Sequence, residues 1–91
     1  MTEIGGSPEG IVALLDESVS ALLESRHILY RDIQQVIYYA EMTGEKLFQP
    51  EKKIILAKMV TSNAVFYVKY SITDDGYLIH TAYSHMPKIV G

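Results

Sequence analysis

The chain contains no cysteine. Disulfides, thiolate-held zinc or iron–sulphur centres and thiol catalysis are therefore excluded together. That fits a reducing compartment, and a cytoplasmic location is the expectation. Long apolar runs are lacking too: no stretch approaches the ~20 residues needed to span a bilayer. Met1 to Gly10 has neither the basic start nor the apolar stretch of a secretion signal, so no membrane partner is expected. Excess positive charge is also missing. Eight basic residues stand against eleven acidic ones, a formal charge of -3. A net field that attracts polyanions is absent, and nucleic acid is not expected as the main partner.

Several chemical motifs are missing as well. Gly5-Gly6 and Gly10 lack the lysine and the preceding strand of a phosphate loop. There is no serine nucleophile elbow and no paired carboxylate motif. Asp74-Asp75-Gly76 lacks the remaining ligands of a calcium loop and reads as a turn. No cofactor is expected.

What is present is ordinary globular material: 91 residues, 48% apolar and 21% charged, enough for one small domain. Met1 to Gly6 reads as a flexible start. Ser7-Pro8-Glu9 has the residue types of a helix N-terminus, and Val12, Leu15, Val19 and Leu22 then repeat at alternating three- and four-residue spacing. The spacing predicts an amphipathic helix within 7–26. A second helix is expected at about Arg31 to Thr43, with Ile33, Val36, Ile37 and Ala40 on one face and Gly44 closing it. The period then changes to two, predicting strands at 53–60, 65–72 and 77–83. Thr61-Ser62-Asn63 and Thr73-Asp74-Asp75-Gly76 read as turns, and Pro87 ends the regular structure before a tail at 87–91. The expected fold is α+β, two N-terminal helices followed by a three-stranded antiparallel β-meander (ααβββ). A compact αβββ unit would span 27–86, with one sheet face covered by the second helix.

Neither face of that sheet reads as wet. Ile54, Leu56 and Val60 oppose Ile55, Ala57 and Met59 on the first strand, and the other strands are similar. One helix covers one face. The other needs the first helix, a ligand or a partner, since uncovered apolar surface forgoes ~25 cal/mol per Å². A homodimer is the favoured expectation, with a protein partner as the other possibility. The interface candidates are Val12, Leu15, Val19 and Leu22 on the helix, and Ile55, Met59 and Tyr67 on the sheet.

The densest reactive cluster is His80-Thr81-Ala82-Tyr83-Ser84-His85. If the chain is an enzyme, His80, Tyr83 and His85 are its candidate catalytic residues, because imidazole titrates near neutral pH. In a regular strand His80 and Tyr83 point to opposite faces, so a shared site needs a bulge. The plainer reading is a polar strand edge. As metal ligands, His80 and His85 lack a third partner unless His27 or Asp32 comes near, and no metal is expected. Seven tyrosines suit either an aromatic platform or a wet interface. With a negative net charge the interface is preferred. Lys52-Lys53, Lys58 and Lys69 form at most a short positive strip, read as edge lysines that discourage strand aggregation.

Two resemblances add to this. The order of a helix bearing Arg31-Asp32-Ile33-x-x-Val36-Ile37, then three strands ending Ile79-His80-Thr81-Ala82-Tyr83, resembles the compact RelE/BrnT-like toxin superfamily over about His27 to Tyr83. Its members are ribonuclease toxins with basic surfaces and catalytic side chains on the sheet. The resemblance implies such roles for Lys69, His80 and Tyr83, while the acidic balance departs from that pattern. The segments Asp32-Ile33-Gln34-Gln35-Val36-Ile37, Ala40-Glu41-x-Thr43-Gly44-x-Lys46 and His80-Thr81-Ala82-Tyr83-Ser84-His85-Met86 are similar to a small bacterial domain of anaerobic Firmicutes. That domain is sometimes appended to iron–sulphur flavoprotein oxidoreductases. It implies an accessory role beside redox enzymes and carries no catalytic residues over.

The expected function is thus a non-enzymatic, self-associating accessory or interaction domain. One alternative is a RelE-like ribonuclease or other small hydrolase. Another is an acidic, antitoxin-like binder presenting Asp16, Glu17, Glu24 and Asp32 to a basic partner.

Overall fold

A computed structural model describes residues 7–62 and 64–85. The expected flexible start, Asn63 of the first turn, Met86 and the tail from Pro87 lie outside the described residues. Among those described, the order is a 3-10 turn at Pro8–Gly10, β1 (Ala13–Leu14), α1 (Glu17–Ser25), α2 (Tyr30–Thr43), β2 (Lys46–Gln49), β3 (Ile54–Val60), β4 (Val65–Thr73) and β5 (Gly76–His85). The fold is α+β, but the ααβββ meander is not its architecture. The strands form one five-stranded mixed sheet in the order β1-β5-β4-β3-β2, with β1 parallel to β5 and the remaining pairs antiparallel.

Two local causes account for the difference. The continuous helix expected within 7–26 is interrupted at Asp16, whose carboxylate accepts from the Val19 amide at 2.8 Å and from the Ser18 hydroxyl at 2.9 Å. Asp16 is therefore an N-cap, and α1 starts after it. Upstream, Ile11 and Ala13 are buried while Val12 is exposed, a strand period of two hidden inside the three- and four-residue spacing. Ser7 and Pro8 start only one tight turn. The second cause is β2, four residues long and mostly exposed, with no alternation to announce it.

The rest follows from ordinary local signals. Asp32 reaches back to the Leu29 amide at 2.8 Å and caps the start of α2. Gly44 ends it in the left-handed conformation, φ 76°. α2 lays Ile33, Val36, Ile37 and Ala40, all fully buried, against Ile55, Ala57, Val68 and Tyr70 of β3 and β4. α1 packs on β5 through Val19 and Leu23, within the same core cluster as Ile79 and Ala82. Both helices thus lie on one side of the sheet. Among the described residues no helix is long and apolar enough to cross a membrane.

Candidate functional site

The site is built by one irregularity in β5. Tyr70 pairs with Ile79, but its neighbour Lys69 pairs with Thr81, so His80 is an extra residue. Such a bulge reverses which side later residues face. Ala82 joins Ile79 in the core, and Tyr83 and His85 follow Thr81 onto the outer face. A strictly alternating strand groups Tyr83 with Tyr77 and Ile79; the bulge corrects that grouping. His80, Tyr83 and His85 therefore share the face turned away from both helices.

On that face Tyr67 of β4 and Tyr83 of β5 are direct cross-strand partners, and their rings stack with centroids 4.8 Å apart and planes 18° from parallel. Lys58 of β3, the partner of Tyr67 on the other side, holds its ammonium 6.0 Å from that ring's centroid. Lys58, Tyr67 and Tyr83 thus form a row across three strands. β1 pairs with β5 only at Tyr77 and Leu78, so no strand lies beyond Tyr83, which is 39% exposed; on that edge the Arg26 guanidinium donates to the Ala82 carbonyl at 2.8 Å. At the other end a groove of about 510 Å³ runs over Leu56, Lys58, Val60 and Tyr67 to a rim of Tyr39 and Glu45. Glu45 accepts from the Tyr39 hydroxyl, which holds that phenol's pKa above its ordinary value.

Charge on the sheet is one-sided. No aspartate or glutamate occurs in any strand, whereas β2 to β5 carry Lys46, Lys58, Lys69, His80 and His85. The described acids all lie on helices, caps and loops.

His80 does not form the catalytic pair its surroundings suggest. Its Nε2 is 2.7 Å from the Ser71 hydroxyl, but that hydroxyl donates to the Lys53 carbonyl at 2.8 Å. A hydroxyl has one proton to give, so Nε2 is the donor and Ser71 the acceptor. This is the reverse of a base activating a nucleophile. No hydrogen bond joins His80, Tyr83 and His85 to one another, since Tyr83 is engaged by Tyr67 and His80 by Ser71. His27 follows Arg26, the C-cap of α1, and no cluster of three or more His, Asp or Glu suited to a metal occurs among the described residues.

The interface candidates scatter. Val19 and Ile55 belong to the chain's own core, and Leu15 and Met59 pack against it. Val12 is exposed, Leu22 is half-buried, and Tyr67 alone of the seven stands on the outer face.

One polar cluster escapes sequence reasoning. The Glu41 carboxylate accepts from the Lys46 ammonium at 2.6 Å and from the Tyr70 hydroxyl at 2.5 Å. Tyr70 is fully buried and meets Tyr77 edge to face, with centroids 5.6 Å apart. Burial first, and then Glu41, push the Tyr70 phenol far above its ordinary pKa, and Tyr77 is raised for the same two reasons. The signal was available: Glu41 stands four residues after Ile37, on the buried stripe of α2. Its partners are all satisfied within the chain, so it reads as a clamp between α2, β2 and β4.

No protein-family model matches the chain, and no curated protein or solved structure matches it.

Proposed function

We propose that the chain is a non-enzymatic binding module that works through the outer face of its sheet. The observation that carries this is the placement of both helices on the other side, which leaves the Tyr67–Tyr83 stack uncovered. The donor role of His80 toward Ser71 speaks against the hydrolase alternative. Hydroxyl-radical footprinting of the purified protein and of the protein in extract of its native cells tests the reading. Tyr67 and Tyr83 are expected to become protected in extract while Tyr30, on the helix layer, stays labelled. Unchanged labelling of both outer-face tyrosines would remove the reading.

A second reading, self-association, is favoured by β2. This edge strand exposes Leu47 at 67% and Phe48 at 56%, an apolar edge that invites pairing with its own copy about a two-fold axis. Light scattering should then give twice the chain mass, returning to the monomer in Leu47→Lys. A monomeric native chain excludes it. That surface differs from the one expected from Val19 and Ile55, which are already used inside the monomer.

A further inference from the structure

We infer that the outer face binds single-stranded RNA; this rests on the reading of that face as the binding surface. Four observations converge. The first is the aromatic row. Unpaired bases stack on aromatic rings whatever their sequence, and Tyr83 offers its outer ring face at an edge where no strand follows. A duplex keeps its bases inside and cannot use such a platform.

The second is charge. A stacking ligand for this face must tolerate Lys58 beside Tyr67 and Lys69 beside Thr81, with no acid on the strands to neutralise either. Phosphates along a strand of RNA do so. A second copy laid face to face offers no carboxylate on its strands for these lysines to pair with. Glu45, the acid that lines the groove, is engaged by the Tyr39 hydroxyl.

The third is the position of the acids on α1 and at its cap. The net charge of -3 counts against a polyanion only if its field reaches the site. Asp16, Glu17 and Glu24 are exposed on the helix layer, across the sheet from Tyr83. Packed layers are separated by ~10 Å, more than the Debye length of ~8 Å at physiological ionic strength. Screening therefore weakens the pull of these three acids on the lysines, while Glu51, Asp74 and Asp75 lie in the turns between strands rather than on the strands themselves.

The fourth concerns the sugar. Beside the row stands the hydroxyl of Thr81, across from Lys69, and on the same side the His80 imidazole, whose Nε2 is already held by Ser71. Short polar groups at this position can exchange hydrogen bonds with a ribose 2′-hydroxyl, which deoxyribose lacks.

Fluorescence anisotropy with labelled oligouridylate, oligothymidylate and heparin tests the inference on the full chain. Oligouridylate should bind, more tightly than oligothymidylate. Tyr83→Ala should weaken it about 5- to 150-fold, the equivalent of one lost base–aromatic stack, and Tyr83→Phe should restore it. Lys58→Ala and Lys69→Ala should each reduce the slope of log affinity against log salt by about 0.7. Absence of oligouridylate binding at low salt overturns the inference. So does heparin binding as tight as oligouridylate with no effect of Tyr83→Ala, and equal binding of oligothymidylate overturns the choice of RNA. Ribonuclease treatment in the footprinting experiment separates the two levels. Protection of Tyr67 and Tyr83 that survives ribonuclease rejects RNA and keeps the face; protection that was never present rejects the face as well.

Discussion

A single phenol oxygen serves both backbone polar groups of residue 13: the Tyr30 hydroxyl accepts from the Ala13 amide at 2.8 Å and donates to the Ala13 carbonyl at 3.2 Å. One turn further along α2, Gln34 donates to the Ile11 carbonyl at 3.0 Å. These two side chains substitute for the strand neighbour that β1 lacks on its outer side. Tyr30→Phe keeps the ring and removes the oxygen, leaving a buried donor and acceptor unmatched. An unmatched buried group costs about 1–3 kcal/mol, so a loss of about 2 kcal/mol in urea unfolding is expected. Amide exchange should quicken at Ala13 first, while α2 stays protected. An unchanged Ala13 amide would show that the clasp contributes nothing.

The parallel pairing of β1 depends equally on Gly76. At φ 147° its backbone lies where side chains are rarely found, and a Cβ added there would meet the Val12 carbonyl at 2.5 Å. That carbonyl also accepts from the Tyr77 amide at 2.9 Å, so the clash falls on the bond that seats β1. Gly44 is the contrast: its φ is 76°, but nothing lies within 4 Å of an added Cβ. Gly44→Ala should cost about 1–2 kcal/mol, the ordinary strain of the left-handed region. Gly76→Ala should cost more than that, with dissolution of β1, because backbone must move. Equal unfolding midpoints for the two variants would contradict this account.

These two glycines mark where the sequence was and was not readable. The end of α2 was legible because Gly44 follows an unbroken stripe of buried positions. The Asp75-Gly76 turn was legible as well, but its second role, making room for Val12, was not. That role depends on a contact between residues more than sixty positions apart. The N-terminal segment was misread because Val12, Leu15, Val19 and Leu22 satisfy helical spacing while Ile11 and Ala13 satisfy strand spacing. Asp16 decides between them through a side-chain bond that spacing does not reveal. The candidate site was legible in its residues, His80, Tyr83 and Tyr67, but not in its geometry. A one-residue bulge opposite Lys69 has no signature in the alternation, yet it alone puts His80 and Tyr83 on one face.

The Glu41 clamp predicts an asymmetric alkaline response. Tyr70 and Tyr77 have pKa values raised above the ordinary 10.0, chiefly by burial and then by Glu41. A raised value in the folded state means that the proton is held more tightly there than in the unfolded chain. The resulting stability is full below pH 10 and is lost as pH rises toward the folded values. Phenolate absorbance should therefore show Tyr70 ionising only as the protein unfolds. In Tyr70→Phe the late step should shrink by one phenol and the alkaline limit of folding should move upward. A native chain whose tyrosines all ionise together before unfolding would contradict the clamp. Glu41→Ala, which strands both the Tyr70 hydroxyl and Lys46, should cost about 2–3 kcal/mol at neutral pH.

Acid should act on a different element, α1. Asp16 has its pKa lowered below the ordinary 3.8, chiefly by the Val19 amide and next by the Ser18 hydroxyl. A lowered value contributes stability above the unfolded pKa, and that contribution is lost as pH falls through the folded value. Helix α1 should loosen in acid before α2, seen as faster exchange at Val19. Asp16→Asn keeps an acceptor and should remove most of that pH dependence. If Asp16→Ala left the exchange of Val19 unchanged at neutral pH, the cap would be irrelevant to α1.

The junction between the helices offers a stabilising change. His27 holds φ 58°, its amide donates to the Glu24 carbonyl at 3.1 Å, and the Ile28 amide donates to the Leu23 carbonyl at 2.9 Å. This pair of bonds, with Leu23 and Ile28 both buried, is the Schellman ending that glycine normally supplies. A side chain in that conformation costs roughly 1–2 kcal/mol. Glycine would relieve it but would also free the unfolded chain, which offsets about 0.4–1 kcal/mol. Strain relief is the larger of the two, so His27→Gly should raise stability by about 0.5–1 kcal/mol. The imidazole of His27 enters none of the contacts proposed on the outer face, so affinity for oligouridylate should not change. Lower stability in His27→Gly would mean that the imidazole makes a favourable contact outweighing the strain.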